Sequence, residues 1–335
     1  MRQVIMAALI GLAGAAGAEE IAGYDRLTVH AAHRPAPVAG SVWYPVGIPT
    51  YRGRVGDGPV FQGTSAYVGA AIAEGRHPLV LISHGSGGNM DGLGWLSSEL
   101  ALRGAVVLAV NHPGSTSGDS SPRRSVRLDE RAADLSAALD QVLADPAFAP
   151  FVDPERVAVL GFSLGGATAL NLGGVRFDGA AYGAFCEARG GEDCIFLRKG
   201  GVDLAALPEG FSAGMRDVRI GRVIAVDPAF TYVATPGSVA GVEVPVMLMN
   251  LGEDARSATA DMSTEGSGLA EELDDVTYEV VSPASHMTFL ARCTPAGVAI
   301  LAEEQDDPVC TDPAGVDRAE VHDEIVDRVA AFLGL

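Results

Sequence analysis

The sequence predicts an α/β fold, a doubly wound and mainly parallel sheet with helices on both faces. Three observations lead to this prediction. Short apolar runs alternate with amphipathic segments along most of the chain, as expected when crossover helices join parallel strands. The runs are continuous rather than alternating, which is typical of strands buried on both faces. One run, residues 157–161, leads directly into a glycine-rich serine motif and a helix-forming segment.

The predicted elements follow the chain in this alternating order. Strands are predicted at 26–31, 40–44, 78–85, 105–110, 157–161, 223–226, 244–250 and 278–281. A helix is predicted at 127–143, where apolar residues recur at three- and four-residue spacing. Further helices are predicted at 93–102, within 258–273, and at 319–333. A stretch at 173–222 is too long for an ordinary connection. It is expected to form an insertion after the helix of the serine motif, either a cap over the site or a surface excursion.

Composition limits the classes of function. A chain of 335 residues with 48% hydrophobic residues can bury one large core, so residues 19–335 are predicted to form a single catalytic domain. A formal net charge of −20 argues against binding nucleic acid or anionic membrane surfaces. The sequence gives no indication of oligomeric state.

The first 18 residues have the order of a secretory signal peptide. A basic start and an apolar run precede small residues that end at Ala18, before Glu19 and Glu20. The run is too short to favour a membrane span. The protein is therefore expected to be exported to the periplasm or the exterior, without stable insertion into a membrane.

Export places the cysteines in an oxidising compartment. Four cysteines allow three pairings. The pairs Cys186–Cys194 and Cys293–Cys310 are favoured because each closes a short local loop. None of the four has the spacing of a metal ligand, and neither a metal nor an organic cofactor is predicted.

The serine motif is Gly161-Phe162-Ser163-Leu164-Gly165. A strand that leads into Gly-x-Ser-x-Gly and then into a helix is a nucleophile elbow, in which the serine hydroxyl stands at a sharp turn beside a helix N-terminus. The flanking glycines allow the close approach of strand and helix. Ser163 is therefore the candidate nucleophile.

A serine nucleophile needs a general base, usually a histidine oriented by a carboxylate. His286 follows the last predicted strand and lies downstream of the other groups, as the order Ser, acid, His requires. His322, inside the final predicted helix, is expected to lie at the surface. His84 and His112 each end a strand, and both are expected to brace loops.

Two aspartates are candidates for the acid. Asp227 follows the strand after the serine unit and has apolar neighbours, whereas Asp254 follows the next strand in a polar loop. The apolar setting favours Asp227 as a buried orienting carboxylate, and Asp254 stays the alternative. For the oxyanion, the expected backbone donors are the N–H groups of Ser86, in the loop after the strand at 78–85, and of Leu164.

These motifs together resemble the α/β-hydrolase fold and, within it, the bacterial predicted dienelactone hydrolases, which are related to the platelet-activating-factor acetylhydrolases. The resemblance covers Val42-Trp43-Tyr44-Pro45, the 81–88 loop, Asn111-His112-Pro113-Gly114, the serine motif and the segment from Ser285 to Cys293. It implies an acid after the strand that follows the elbow, matching Asp227, and oxyanion donors matching Ser86 and Leu164. A true dienelactone hydrolase uses a cysteine nucleophile, so lactone specificity is not implied.

The sequence thus predicts an exported serine hydrolase that cleaves small-molecule carboxylic esters through an acyl-enzyme, with Ser163, His286 and Asp227 as its triad. The same triad would serve a phospholipid or polyester hydrolase, which is the alternative within enzymes. A non-catalytic binding protein on this fold is the alternative from another class.

Overall fold

The computed structural model describes residues 20–335, and the predicted signal peptide, residues 1–18, lies outside them. The strands of the described chain are β1 (Gly23–Val29), β2 (Val38–Tyr44), β3 (Val46–Ile48), β4 (Arg52–Val55), β5 (Thr64–Val68), β6 (Ala71–Ile72), β7 (His77–Ser83), β8 (Val106–Val110), β9 (Ser115–Thr116), β10 (Asp119–Ser120), β11 (Val152–Phe162), β12 (Arg222–Val226), β13 (Val246–Leu251) and β14 (Val276–Val281). The helices are α1 (Gly94–Leu102), α2 (Pro122–Ser125), α3 (Leu128–Ala144), α4 (Leu164–Gly173), α5 (Gly179–Ala188), α6 (Glu192–Lys199), α7 (Pro236–Val239), α8 (Leu269–Glu272), α9 (Gly297–Glu304) and α10 (Arg318–Leu333).

One ten-stranded sheet organises the molecule, in the order β14-β13-β12-β11-β7-β8-β2-β1-β5-β4. Every neighbouring pair from β14 to β8 is parallel. The antiparallel pairs β8–β2 and β2–β1 extend the sheet with N-terminal strands. The predicted doubly wound, mainly parallel sheet is confirmed, and the carboxyl ends of its parallel strands share one edge.

Two layers of core cover the sheet, one on each face. The first contains apolar residues of α3 and α4, such as Leu135 and Leu170. The second contains residues of α1 and α10, such as Leu100 and Val329. The completely buried strand β8 packs into both layers, because alternate side chains point to opposite faces. This explains why its sequence is a continuous apolar run.

The prediction of a helix within 258–273 is confirmed, but the helix is short. Only Leu269–Glu272 is helical, and turns occupy most of the segment before it. Asn250 holds this segment through side-chain contacts: its Nδ2 donates to Ala260 O at 2.8 Å, and its Oδ1 accepts from the Met262 N–H at 3.1 Å. These hydrogen bonds hold residues 260–262 to β13 and leave only the last part of the segment helical.

The stretch at 173–222 contains α5 and α6, which the disulfide Cys186–Cys194 joins. Its aromatic side chains pack on the body of the molecule: the ring of Tyr182 lies 5.0 Å from that of Phe230. The second disulfide is Cys293–Cys310, so both favoured pairings are confirmed. No helix within residues 20–335 has the length and apolar character to cross a membrane.

Candidate active site

Ser163 lies at the sharp turn between β11 and α4. Its backbone adopts φ 55° and ψ −120°, a region that non-glycine residues rarely occupy and that often marks functional sites. The turn is so tight that a Cβ on Gly161 would lie 1.9 Å from the carbonyl oxygen of Gly165, and one on Gly165 would lie 1.9 Å from that of Ser83. Only glycine fits at either position, which explains the Gly-x-Ser-x-Gly spacing.

His286 begins a short 3₁₀ helix, His286–Phe289, after β14. Ser285 caps this turn reciprocally with Thr288, which fixes the backbone that carries the imidazole. The ring lies against Phe162, the residue before Ser163, with the ring centroids 4.6 Å apart. The His286 side chain is 23% exposed, so it is held in place yet reachable from solvent.

Asp227 follows β12 and is completely buried. Its Oδ2 accepts a hydrogen bond from His286 Nδ1 at 3.0 Å. Its Oδ1 accepts from Asn250 Nδ2 at 2.8 Å and from the Leu251 N–H at 3.0 Å. A carboxylate held by three donors has one orientation, and it fixes the tautomer of the imidazole, leaving Nε2 as the basic nitrogen.

The alternative acid, Asp254, lies elsewhere. Its side chain is exposed in the loop after β13, and it makes no hydrogen bond with His286 in the described chain. The structure therefore brings Asp227, and not Asp254, to His286.

Ser163 and His286 are not joined by a direct hydrogen bond. His286 instead packs on the ring of Phe162, the residue before Ser163. Among residues 20–335, Ser163 Oγ has no hydrogen-bond partner, which is common for catalytic groups before a substrate draws them together. A Cβ on Gly85 would lie 3.3 Å from Ser163 Cβ, so the loop after β7 passes directly beside the serine.

The two predicted oxyanion donors border this serine. Ser86 follows Gly85, and its backbone N–H has no acceptor within the described residues. Leu164 is the first residue of α4, and N–H groups in the first turn of a helix have no intrahelical acceptor. Both groups are thus available to an oxygen beside Ser163.

A buried polar network lies beneath this loop. His84 Nε2 accepts from the His112 N–H at 3.2 Å, and His84 Nδ1 donates to Gly85 O at 2.7 Å. His112 donates from Nδ1 to Asp134 Oδ2 at 3.0 Å and accepts on Nε2 from the Ser83 hydroxyl at 3.0 Å. The prediction that both histidines brace loops is confirmed.

Burial determines the charge states in this network. It lowers the pKa of His84 well below the ordinary value and that of His112 to about 4, with the positive charge of Arg131 acting in the same direction. Burial alone would raise the pKa of Asp134, but hydrogen bonds from Arg34 and His112 outweigh it and keep that pKa low. Both histidines are therefore neutral and Asp134 is ionised near neutral pH.

Arg131 and Asp134, which belong to this network, were not predicted from the sequence. Both are buried, although they lie in α3 among the apolar residues that face the sheet. The available signal was their position: Arg131 is three residues after Leu128 and four before Leu135, on the buried face of an amphipathic helix. A charge at such a position needs polar partners inside the protein.

The prediction for His322 is wrong. It is 5% exposed rather than at the surface. Its Nε2 donates to Thr288 O at 2.9 Å, and its ring stacks on Trp95 at 3.6 Å. The helical pattern did not reveal this contact because the acceptor belongs to the loop that carries His286.

Asp193 of α6 is a second acidic side chain near His286. It is half-buried and accepts a hydrogen bond from the Thr259 hydroxyl. Burial raises the pKa of Asp193, and the electrostatic interaction with His286 and the hydrogen bond from Thr259 offset part of that rise. An electrostatic interaction with His286 means that α6 lies near the imidazole.

The arrangement offers the components of nucleophilic acyl transfer: a serine at a helix N-terminus, an imidazole oriented by a buried carboxylate, and free backbone donors. In the part of the chain that the structure describes, no group of three or more His, Cys, Asp or Glu side chains could hold a metal ion.

Comparisons with known proteins give a consistent picture of the fold. A family model described as "Alpha/beta hydrolase family" matches residues 79–330. The solved structure of a ferulic acid esterase from Streptomyces cinnamoneus aligns with a TM-score of 0.61 and 21% identity, over 96% of this chain and 91% of that chain. At this identity, the likeness shows the fold alone.

Two curated relatives match parts of the chain. Lipase 1 of Moraxella sp. (strain TA144) is 38% identical over 78 residues, which are 23% of this chain and 22% of that protein. Cutinase est2 of Thermobifida alba is 36% identical over 101 residues, which are 30% of this chain and 31% of that protein. The matched stretches thus span less than a third of either relative.

Proposed function

The chain belongs to the alpha/beta hydrolase family, and from this premise we propose that it is a serine hydrolase that cleaves carboxylic esters. The observation that carries the proposal is the 3.0 Å hydrogen bond from His286 Nδ1 to the buried Asp227, beside a serine in a strained strand-to-helix turn. The names of the two curated relatives, a lipase and a cutinase, support ester cleavage.

In the proposed reaction, Ser163 Oγ attacks the ester carbonyl while His286 Nε2 takes its proton. Asp227 keeps the imidazole in the required tautomer and stabilises the imidazolium that forms. His286 then gives the proton to the leaving alkoxide, which leaves an acyl-enzyme. Water, deprotonated by His286, releases the acid and restores Ser163.

The negative charge that develops on the carbonyl oxygen is held by the N–H groups of Ser86 and Leu164. These two groups are proposed because both border Ser163 and because the Ser86 N–H has no other acceptor in the described chain. Loss of one such donor typically costs about 10²–10³-fold in kcat. The mechanism uses no metal and no organic cofactor.

The proposal extends to location, subfamily and substrate. Export is supported by the leader-like order of residues 1–18 and by the two disulfides, Cys186–Cys194 and Cys293–Cys310. The resemblance to predicted dienelactone hydrolases and platelet-activating-factor acetylhydrolases belongs to the proposal as well. Small-molecule esters with short or medium acyl chains are the proposed substrates.

Covalent labelling with a fluorophosphonate tests the reaction class. The wild-type protein is expected to take up one label per chain and lose ester hydrolysis in parallel, because an activated serine attacks the phosphorus. Ser163→Ala is expected to abolish both labelling and turnover of p-nitrophenyl butyrate. The exposed Ser120, whose hydroxyl makes no hydrogen bond within residues 20–335, serves as the matched control, and Ser120→Ala is expected to behave as wild type. Folded wild-type protein that neither labels nor hydrolyses esters would contradict the proposed function.

A further inference from the structure

Arg131 is a guanidinium buried to 1% exposure in α3. It donates from Nε to Thr168 Oγ1 at 3.0 Å and from Nη2 to Ser83 Oγ at 3.1 Å. It also donates from Nη1 to Ser115 Oγ and from Nη2 to the carbonyl oxygen of His84. One side chain therefore joins α3 to the end of β7, to β9 and to α4.

These acceptors are all neutral oxygens, and within residues 20–335 Arg131 has no ion pair. The charge of Asp134 attracts Arg131 without a hydrogen bond between them, since both oxygens of Asp134 are bonded to other donors, including Arg34 and His112. A buried charge without a direct counter-ion is costly. An apolar residue at position 131 would fill the core without that cost, so the four hydrogen bonds are the feature that distinguishes Arg131.

The bond to His84 O fixes the loop that carries one proposed oxyanion donor. We call residues 83–88 the oxyanion loop. Arg131 holds the His84 carbonyl, and the His84 imidazole donates to Gly85 O at 2.7 Å. The carbonyl of Gly85 and the N–H of Ser86 belong to the same peptide unit. A hydrogen bond to that carbonyl polarises the peptide and strengthens its N–H as a donor.

The bond to Thr168 fixes the helix that carries the other donor. Thr168 lies one turn after Leu164, and its hydroxyl also donates to Leu164 O at 3.0 Å. The first turn of α4 packs directly on the oxyanion loop, since a Cβ on Gly165 would lie 1.9 Å from Ser83 O. Arg131 thus bonds both the loop that carries Ser86 and the helix that carries Leu164.

We propose that Arg131 is a positioning residue for the oxyanion hole, which sets the Ser86 and Leu164 N–H groups relative to each other by holding the His84 carbonyl and Thr168. This role rests on the proposed serine-hydrolase function and adds to it a residue outside the triad. Arg131 does not contact the substrate. It acts through the oxyanion loop and α4.

Kinetics of Arg131→Gln and Arg131→Lys test this role. Both variants lose most of the guanidinium N–H donors of Arg131. We expect kcat to fall about 10²-fold and KM to stay within about threefold of wild type. The reason is that a small displacement of the Ser86 or Leu164 N–H weakens its hydrogen bond in the transition state more than it weakens substrate binding. Affinity for an alkyl boronic acid, which forms a tetrahedral adduct with an active serine, is expected to fall by a similar factor.

Arg34→Gln is the matched control. Arg34 is another buried arginine, bonded to Asp134 and Glu130 but not to the oxyanion loop. It is expected to lower thermal stability while the folded protein keeps wild-type kcat and boronic-acid affinity. If Arg131 had only a structural role, its variants would likewise lose thermal stability and keep wild-type kcat and boronic-acid affinity.

If the Arg131 variants do not fold, the milder Ser115→Ala decides. It removes one of the four acceptors of Arg131 and is expected to lower kcat about three- to tenfold, with a matching loss of boronic-acid affinity. Unchanged kcat in folded Arg131→Gln, or in Ser115→Ala when the former is unfolded, would overturn the positioning role. Wild-type protein without esterase activity or fluorophosphonate labelling would instead contradict the proposed function itself.

Discussion

Ser163 and Asp227 both hold their backbones at positive φ, 55° and 41°. The surrounding strands maintain these conformations: the Ser163 N–H donates to Val226 O at 2.9 Å, and the Asp227 N–H donates to Met249 O at 2.8 Å. Non-glycine residues persist in this region only when neighbouring contacts enforce it. Serine and acid are therefore attached to adjacent strands, whose pairing fixes their separation.

Single substitutions separate the two candidate acids. Asp227→Asn is expected to lower kcat for a p-nitrophenyl ester by about 10⁴-fold, because an amide cannot hold the imidazole in its productive tautomer or stabilise the imidazolium. Asp254→Asn is the matched control at the exposed position and is expected to stay within about threefold of wild type. Near-wild-type turnover in folded Asp227→Asn would remove it from the triad.

At the scale of elements, the insertion at 173–222 brings α6 to the site. The disulfide at Cys194 anchors the helix to α5, and a Cβ on Gly191 would lie 2.7 Å from a methyl carbon of Thr259. Asp193 lies between Gly191 and Cys194. Its side chain accepts a hydrogen bond from Thr259 and interacts electrostatically with His286. We expect the insertion to act as one wall of the substrate site and to place negative charge there.

Charge selectivity tests this expectation. Asp193→Asn is expected to raise kcat/KM for a hemisuccinate ester about tenfold relative to a butyrate ester, because the repulsion between Asp193 and the acyl carboxylate is removed. Glu192→Gln removes the same charge at the neighbouring exposed position and is expected to leave the ratio unchanged. Equal ratios in Asp193→Asn and wild type would mean that α6 does not border the acyl group.

Across the whole molecule, a chain of contacting aromatic rings connects the helices α10 and α1 to the candidate site. His322 of α10 stacks on Trp95 of α1, Trp95 contacts Phe289 at 5.3 Å, and Phe289 stacks on Phe162 at 4.4 Å. Phe162 in turn contacts His286. The position of the His286 imidazole thus depends on the packing of the helices behind it, which makes global stability relevant to the candidate site.

The buried His322 makes stability depend on pH. Burial lowers its pKa from 6.5 to about 4, so the unfolded chain binds a proton between these values that the folded chain excludes. Its contribution is complete above pH 6.5 and is lost as pH falls toward 4. From pH 7 to 5, this group alone is expected to lower the free energy of unfolding by about 2 kcal/mol.

Urea unfolding at pH 7 and pH 5 measures this effect. His322→Gln keeps a donor for Thr288 O and removes the titration, so its loss of stability between the two pH values is expected to be smaller than that of wild type. His30 is exposed, and His30→Gln is expected to retain the wild-type loss. Equal losses in all three proteins would contradict a neutral, buried His322.

Patterns along the chain were sufficient for the parallel strands of the sheet, but not for β4 and β5 or for the order of the strands in the sheet. The apolar runs located the parallel strands, since strands buried on both faces have no polar positions, as β8 illustrates. The spacing of Gly161, Ser163 and Gly165 located the turn, because close backbone contact excludes a side chain there. Local sequence did not give the bounds of the helix within 258–273, where Asn250 of the preceding strand, β13, holds most of the segment in turns.

By itself, the sequence determined the parallel strands of the sheet, the candidate serine and histidine, and a choice between two acids. Only the tertiary structure decided which aspartate meets His286, that His322 is buried, and that Arg131 lies beneath the oxyanion loop. The physical reason is that periodicity and motif spacing depend on neighbours along the chain. Asp227, His322 and Arg131 make hydrogen bonds to residues that are between 34 and 59 positions away along the chain. Such hydrogen bonds form only once the sheet and its helices have packed.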